Sequence, residues 1–243
     1  RNGFSNSAIA TAEIFNPTTN LWSPATSMAI ARASHTATLL GNGKVLIVGG
    51  SVNDSPAAEL YDPASNTWTQ AGTMHTARLS HTATLLADGQ VLVVGGSTLN
   101  GIELPTAERY DPITGSWTTV QSMGISRYGH SATLLNDGQV LVAGGYSSST
   151  ACETYDPVMD SWSSAGTLSQ QRGFHTAIRL NNGEVLIAGG PGRVGTTSER
   201  YDPTTRTWST PVNPFGYASS RTMTLLNSGK VMLVGGPLVE FFK

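Results

Sequence analysis

The chain has 243 residues, a net charge of −2 and only 12% charged side chains, which excludes a global electrostatic attraction to nucleic acid or an acidic membrane surface. No apolar run approaches the ~20 residues of a membrane helix, and the single Cys152 excludes an internal disulfide and a multi-cysteine metal cluster. The Thr/Ser/Gly-rich, lysine-poor composition leans towards an extracellular or periplasmic setting.

In chain order, residues 8–23 read as two strands around "FNPTTN". Next comes "RASHTATLLGNGKVLIVGG", residues 32–50. "HTATLL" is rich in β-formers and predicts a strand. "NGK" predicts a hairpin turn, because glycine and asparagine tolerate positive φ. "VLIVGG" is apolar without interruption and predicts a strand buried on both faces. "AELYDP" predicts a third strand ended by a proline that cannot donate to a ladder, and "TWTQ" a fourth. Helical periodicity is absent.

The same sentence returns as "RLSHTATLLADGQVLVVGG", "RYGHSATLLNDGQVLVAGG", "RGFHTAIRLNNGEVLIAGG" and "ASSRTMTLLNSGKVMLVGG". The Gly-Gly pairs end at 50, 96, 145, 190 and 236. An aromatic followed seven residues later by tryptophan keeps step: Phe15/Trp22, Tyr61/Trp68, Tyr110/Trp117, Tyr155/Trp162 and Tyr201/Trp208. A lone sheet apolar on both faces is unstable in water, and radial stacking of such sheets buries both faces. Hydrophobics ending in Gly-Gly, then Tyr, then Trp, at this period over nearly the whole chain, resemble kelch repeats. The resemblance extends distantly to the propeller of galactose oxidase.

Kelch resemblance implies an all-β propeller in one domain, 1–243. Four intact blades fall at about 34–72, 80–120, 130–166 and 175–211. The remaining halves, about 8–23 and 219–236, are complementary, which predicts five four-stranded blades closed by pairing N-terminal with C-terminal strands. A fragment of a six- or seven-bladed kelch propeller is the alternative.

His35, His81, His130 and His175 open the first strands, with Arg221 in the fifth copy. If those strands are innermost, as the resemblance implies, they ring one mouth of a channel. Four equivalent histidines set wide apart suit a compact metal site poorly, so they read as structural. Glu13, Glu59, Glu108, Glu153 and Glu199 sit two residues before the aromatic of each third strand. A charge inside a blade needs a partner, and the arginines three residues before each histidine (Arg32, Arg78, Arg127 and Arg172, with Ala218 in the fifth copy) predict bidentate pairs. Asp62, Asp111, Asp156 and Asp202, with Asn16 in the first copy, read as turn caps, and Cys152 as a small buried residue.

Function is expected where the repeat is broken. Loops between strands two and three and loops between blades emerge on one face. The longest, 97–106, presents an expected exposed pair, Ile102 and Leu104, and the inter-blade set presents His75, Tyr128, Phe174, Phe215 and Tyr217. Arg32, Arg78, Arg127, Tyr128, Arg172, Phe174, Tyr217 and Arg221 form the expected ligand-binding set. The reading is a monomeric, non-catalytic module for a protein, peptide or glycan, with no cofactor, catalytic residue or metal, no nucleic acid and no membrane insertion. The resemblance implies two alternatives. One is an enzyme: copper oxidases like galactose oxidase need two tyrosines, two histidines and a cysteine crosslinked to a tyrosine, and here only Cys152 beside Tyr155 offers a crosslink. A carbohydrate-active kelch enzyme would belong to the same alternative, but no motif identifies one. The other is an architectural module of a larger surface protein.

Overall fold

Antiparallel sheets make up the regular structure, and no helix occurs among the described residues of the computed structural model, which are 8–51, 53–146, 150–190, 197–212, 222–235 and 238–242. Internal contacts divide the chain into an N-terminal unit, Arg1–Val120, and a C-terminal unit, Gln121–Lys243.

The N-terminal unit begins with a two-stranded sheet, β1 (Glu13–Asn16) and β2 (Leu21–Pro24). Two four-stranded blades follow. The first holds β3 (Thr36–Leu39), β4 (Val45–Val48), β5 (Ala57–Asp62) and β6 (Thr67–Thr73). The second holds β7 (Thr82–Leu85), β8 (Val91–Val94), β9 (Ala107–Asp111) and β10 (Ser116–Val120). Strand order within each blade is sequential and every pairing antiparallel.

The C-terminal unit repeats the plan. One blade is β11 (Ser131–Leu134), β12 (Val140–Ala143), β13 (Ala151–Asp156) and β14 (Ser161–Thr167). The next is β15 (Thr176–Arg179), β16 (Val185–Ala188), β17 (Ser198–Asp202) and the two-residue β18 (Thr207–Trp208). A three-stranded sheet ends it: β19 (Thr222–Leu225), β20 (Val231–Gly235) and β21 (Leu238–Phe242).

Apolar second strands explain the stacking. All four residues of β8, β12 and β16 are buried, so each such strand needs a neighbour on both faces. In the N-terminal unit Leu46 and Val48 of β4 interleave with Val91 and Val93 of β8 in one cluster that includes Tyr110. In the C-terminal unit Leu141 and Ala143 meet Val185 and Ile187 beside Cys152 and Tyr201. Burying each such aliphatic chain is worth roughly 1.5–3 kcal/mol.

The turns carry the rest of the repeat. Leu40 N–H donates to Lys44 O at 2.8 Å and Gly43, at φ 81°, follows the corner, a three-residue hairpin loop with a left-handed glycine. Asn42, Asp88, Asp137 and Asn182 accept the N–H two residues on. Asp62, Asp111, Asp156 and Asp202 do the same before each fourth strand. Each Tyr/Trp pair packs at 4.9–5.1 Å, and Phe15/Trp22 at 5.2 Å. Trp68 and Trp117 donate Nε1–H to Thr26 O, two residues past β2, and to Ala71 O in β6, and Trp162 and Trp208 to Gln121 O and Ala165 O.

The expected closing pairs differ from what forms. The place beside β20 that the N-terminal third strand was to fill is taken by β21, in register from Val231↔Phe242 to Gly235↔Leu238. The free edge of β20 is a row of unpaired backbone groups. "LVEFF", a β-prone segment close downstream in sequence, satisfies it at little entropic cost. β1 and β2 pair with each other, and Trp22 on β2 is 67% exposed.

Candidate functional site

Arg32, Arg78, Arg127 and Arg172 lie inside the blades, each at most 2% exposed. Each stands in the loop that leads into its first strand and folds back over the end of its own blade. Nη1 donates to the carbonyl of the first glycine of Gly-Gly: Gly49 (2.7 Å), Gly95 (2.8 Å), Gly144 (2.8 Å) and Gly189 (3.0 Å). A second carbonyl just ahead of or opening the third strand takes another donor: Ala57, Thr106, Ala151 or Thr197. Glu59, Glu108, Glu153 and Glu199 complete the clamp, with N–O separations of 2.8–3.0 Å.

These pairs are not the bidentate forks expected. One carboxylate oxygen meets the guanidinium, while backbone N–H groups of the inter-blade loop also bind the carboxylate: Ala29 (2.6 Å), His75 (2.7 Å), Gly124 (2.8 Å) and Ser169 (2.8 Å). The clamp therefore fastens the loop to the blade. Burial draws the Arg78 and Arg172 pKa values down, with Glu108 and Glu199 acting the other way. Glu13 is exposed on β1 and makes none of these bonds. The expectation that the four arginines face a ligand is corrected accordingly: their guanidinium groups are enclosed and bonded.

The histidines link first strands of adjacent blades. His81 Nε2 lies 3.0 Å from Thr36 Oγ1, and His175 Nε2 lies 2.8 Å from Ser131 Oγ. Burial, reinforced by the neighbouring Arg78 and Arg172, lowers their pKa from 6.5 to about 3 and about 4. His130 is buried too, whereas His35 is exposed, because the sheet ahead of it, β1–β2, holds no first strand. No group of three or more His, Cys, Asp or Glu is placed to hold a metal among the described residues.

A histidine whose folded pKa is depressed gains a proton on unfolding, so its stabilisation is present at neutral pH and is lost as pH falls from 6.5 towards the folded value. The expected loss is about 1.4 kcal/mol per pH unit for each of the two once below that window's top. Scanning calorimetry from pH 7.5 to 5.0 should show a steadily falling melting temperature, and His81→Gln or His175→Gln should flatten the slope. A wild-type melting temperature constant across that range would refute the assignment.

Departures from the repeat converge at one place in the C-terminal unit. Tyr128 and Tyr146 stack at 5.5 Å, Phe174 meets Tyr146 at 5.6 Å, and Phe174 meets Tyr128 edge-on at 6.1 Å. Tyr128 is half-buried, while Tyr146 and Phe174 are 43% and 53% exposed. Corresponding positions in the N-terminal unit hold Ala33 and Leu79, Ser51 and Ser97, and Ser34 and Ser80. The backbone holds the three together: Tyr146 N–H donates to Tyr128 O (2.8 Å) and Phe174 N–H to Gly129 O (2.6 Å). Glycines make the room, since a Cβ at Gly129 would come 3.0 Å from the Phe174 ring and one at Gly173 2.4 Å from the Tyr146 ring. Phe174 itself sits at φ 48°, a left-handed position that Ser34 and Ser80 occupy elsewhere. A bulky residue there costs stability and marks a position for scrutiny.

Tyr146 was not among the residues singled out from sequence, although it is an aromatic directly after Gly-Gly where other copies carry Ser51, Ser97 or Pro191. Tyr217 and Arg221 fall outside the described residues, as do Phe215 and Ala218. Leu104, expected at the surface with Ile102, is only 8% exposed: its N–H donates to Gly96 O, which turns the side chain inward, while Ile102 stays 63% exposed. Cys152 is buried and its thiol is pushed up to about 12 by that burial, so it stays protonated at neutral pH. Tyr155 directs its hydroxyl to Asp160 Oδ1 at 2.9 Å. A cavity of about 560 Å³ lined by Leu180, Leu186, Val212 and Val231 lies beside the short β18, and Arg200 on its wall is engaged by Glu184 at 3.1 Å.

Stacked antiparallel four-stranded blades, each locked by a buried Arg–Glu clamp and a Tyr/Trp pair, define an all-β protein of the β-propeller class. The Kelch motif family matches residues 32–75 and 78–124, so the chain carries kelch repeats. No curated protein matches the sequence.

Proposed function

We propose that this kelch-repeat chain is a non-catalytic recognition module that takes a protein, peptide or glycan on its inter-blade loops. Kelch repeats commonly serve as protein-interaction modules. The observation that carries the reading is the Tyr128–Tyr146–Phe174 platform: three rings in contact, partly open to solvent, built only where the repeat is broken. Exposed aromatics on rigid loops supply contact area at low conformational cost. Arg127 and Arg172 act from below, fixing the loops that present Tyr128 and Phe174.

The test is an array of proteins, peptides and glycans probed with the wild type and with Tyr128→Ala/Tyr146→Ala. Every specific signal should fall at least tenfold in the double variant, with its melting temperature within a few degrees of the parent. Signals that survive the double substitution would place recognition elsewhere on the chain.

A further inference from the structure

We infer that the aromatic platform binds the apolar face of a neutral sugar ring in an oligosaccharide, an inference that rests on the recognition reading above. Ring geometry comes first. Centroids 5.5–6.1 Å apart put the three rings in contact with one another and leave no void between them, so they form a packed surface and not a cage around a cation. Such a surface offers ring faces and edges to a flat apolar partner.

Charge narrows the partner further. Among the described residues of the segments that carry the rings, 121–129, 146, 150 and 169–174, the ionic side chains are Arg127 and Arg172, and both are buried and paired with Glu153 and Glu199. What remains in those described segments is Ser, Thr, Gln, Gly, Met and Ile, with Ser122 and Gln170 exposed. Those described segments offer an ionic ligand no unpaired counter-charge, whereas hydroxyl and amide groups together with an aromatic surface match a polyol with apolar C–H faces.

An extended peptide is the competing neutral ligand. Strand addition needs unpaired backbone groups, but here Tyr146 N–H, Phe174 N–H and Gly145 N–H are committed to Tyr128 O, Gly129 O and Arg172 O. A proline helix needs an aromatic-lined groove, and the mutual contact of the rings fills that space. The strained backbone of Phe174 is consistent with a ring kept for contact and not for folding.

Affinity electrophoresis through gels containing galactomannan, xyloglucan or a mixed-linkage β-glucan tests this, with a fluorescent decaproline peptide as the rival probe. At least one polysaccharide should retard the wild type, equally at 0.05 and 0.5 M NaCl. Tyr146→Ala and Phe174→Ser should each weaken that retardation at least tenfold. Phe174→Ser should melt at or above the wild-type temperature, because serine occupies the equivalent positions 34 and 80. No retardation by any of the three polysaccharides overturns the inference, as does retardation that persists in both variants. Decaproline binding that disappears in the same variants would also overturn it while leaving the recognition reading intact. If array signals are indifferent to the platform as well, that reading falls with it.

Discussion

Arg127→Met is expected to destabilise the C-terminal unit by about 3–5 kcal/mol, the range for removing one partner of a buried ion pair. The guanidinium bonds Gly144 O, Ala151 O and Glu153 Oε2, and its loss leaves the carboxylate, which also accepts the Gly124 N–H, without its buried cation. Glu153 is mostly buried and water replaces little of what is lost. Arg127→Met combined with Glu153→Met should recover part of the stability, because replacing both partners removes the uncompensated charge. Urea midpoints of the two singles and the double close the cycle. A single-variant loss under about 1 kcal/mol would mean the guanidinium is reached by solvent, and the arginine would return to the list of ligand contacts.

Gly144→Ala is expected to cost about 2–5 kcal/mol, from left-handed strain and overpacking together. Gly144 has φ 65°, and an added Cβ would lie 2.4 Å from Arg172 O and 2.6 Å from His175 Cε1. Neither neighbour yields easily: the carbonyl accepts the Gly145 N–H, and the imidazole is buried and bonded to Ser131. Gly138→Ala is the control. Its φ is 87° but a Cβ would meet nothing within 4 Å, so only the backbone strain applies, about 1 kcal/mol. Thermal or urea unfolding of both variants separates the two contributions. Equal losses would show that close approach of the next blade is not what the glycine provides.

The blades were legible because a 45–50-residue period repeats each strand, turn and Tyr/Trp mark, and because "VLVV" and "VLVA" admit burial on both faces only. The ends were not. "LVEFF" reads as a tail until the open edge of β20 is seen beside it, and no local pattern chooses between that edge and a distant one. The clamp was legible as residue types at fixed offsets, but its enclosure was not. Whether a guanidinium points out to solvent or back over Gly144 O is settled by the loop path, and the loop path is set by N–H groups of Gly124 and Ser169 on the carboxylates. Tyr128 and Phe174 stood out as departures from the repeat. Their meeting with Tyr146 did not, because 46 residues separate the outer two and contact depends on two glycines giving way.

Sharing each carboxylate between an arginine and a loop amide has a consequence for how such a chain diversifies. Arg and His stand three apart at the head of a blade, and in the pairs Arg78/His81 and Arg172/His175 the first grips its own sheet and the second the sheet before, so the two residues between them form a cassette held at both ends. Ala33-Ser34, Leu79-Ser80, Tyr128-Gly129 and Gly173-Phe174 are four fillings of that cassette on one chassis. New specificities are then accessible by swapping dipeptides, provided the second residue tolerates a left-handed backbone and the filling leaves room for the ring of the adjacent blade.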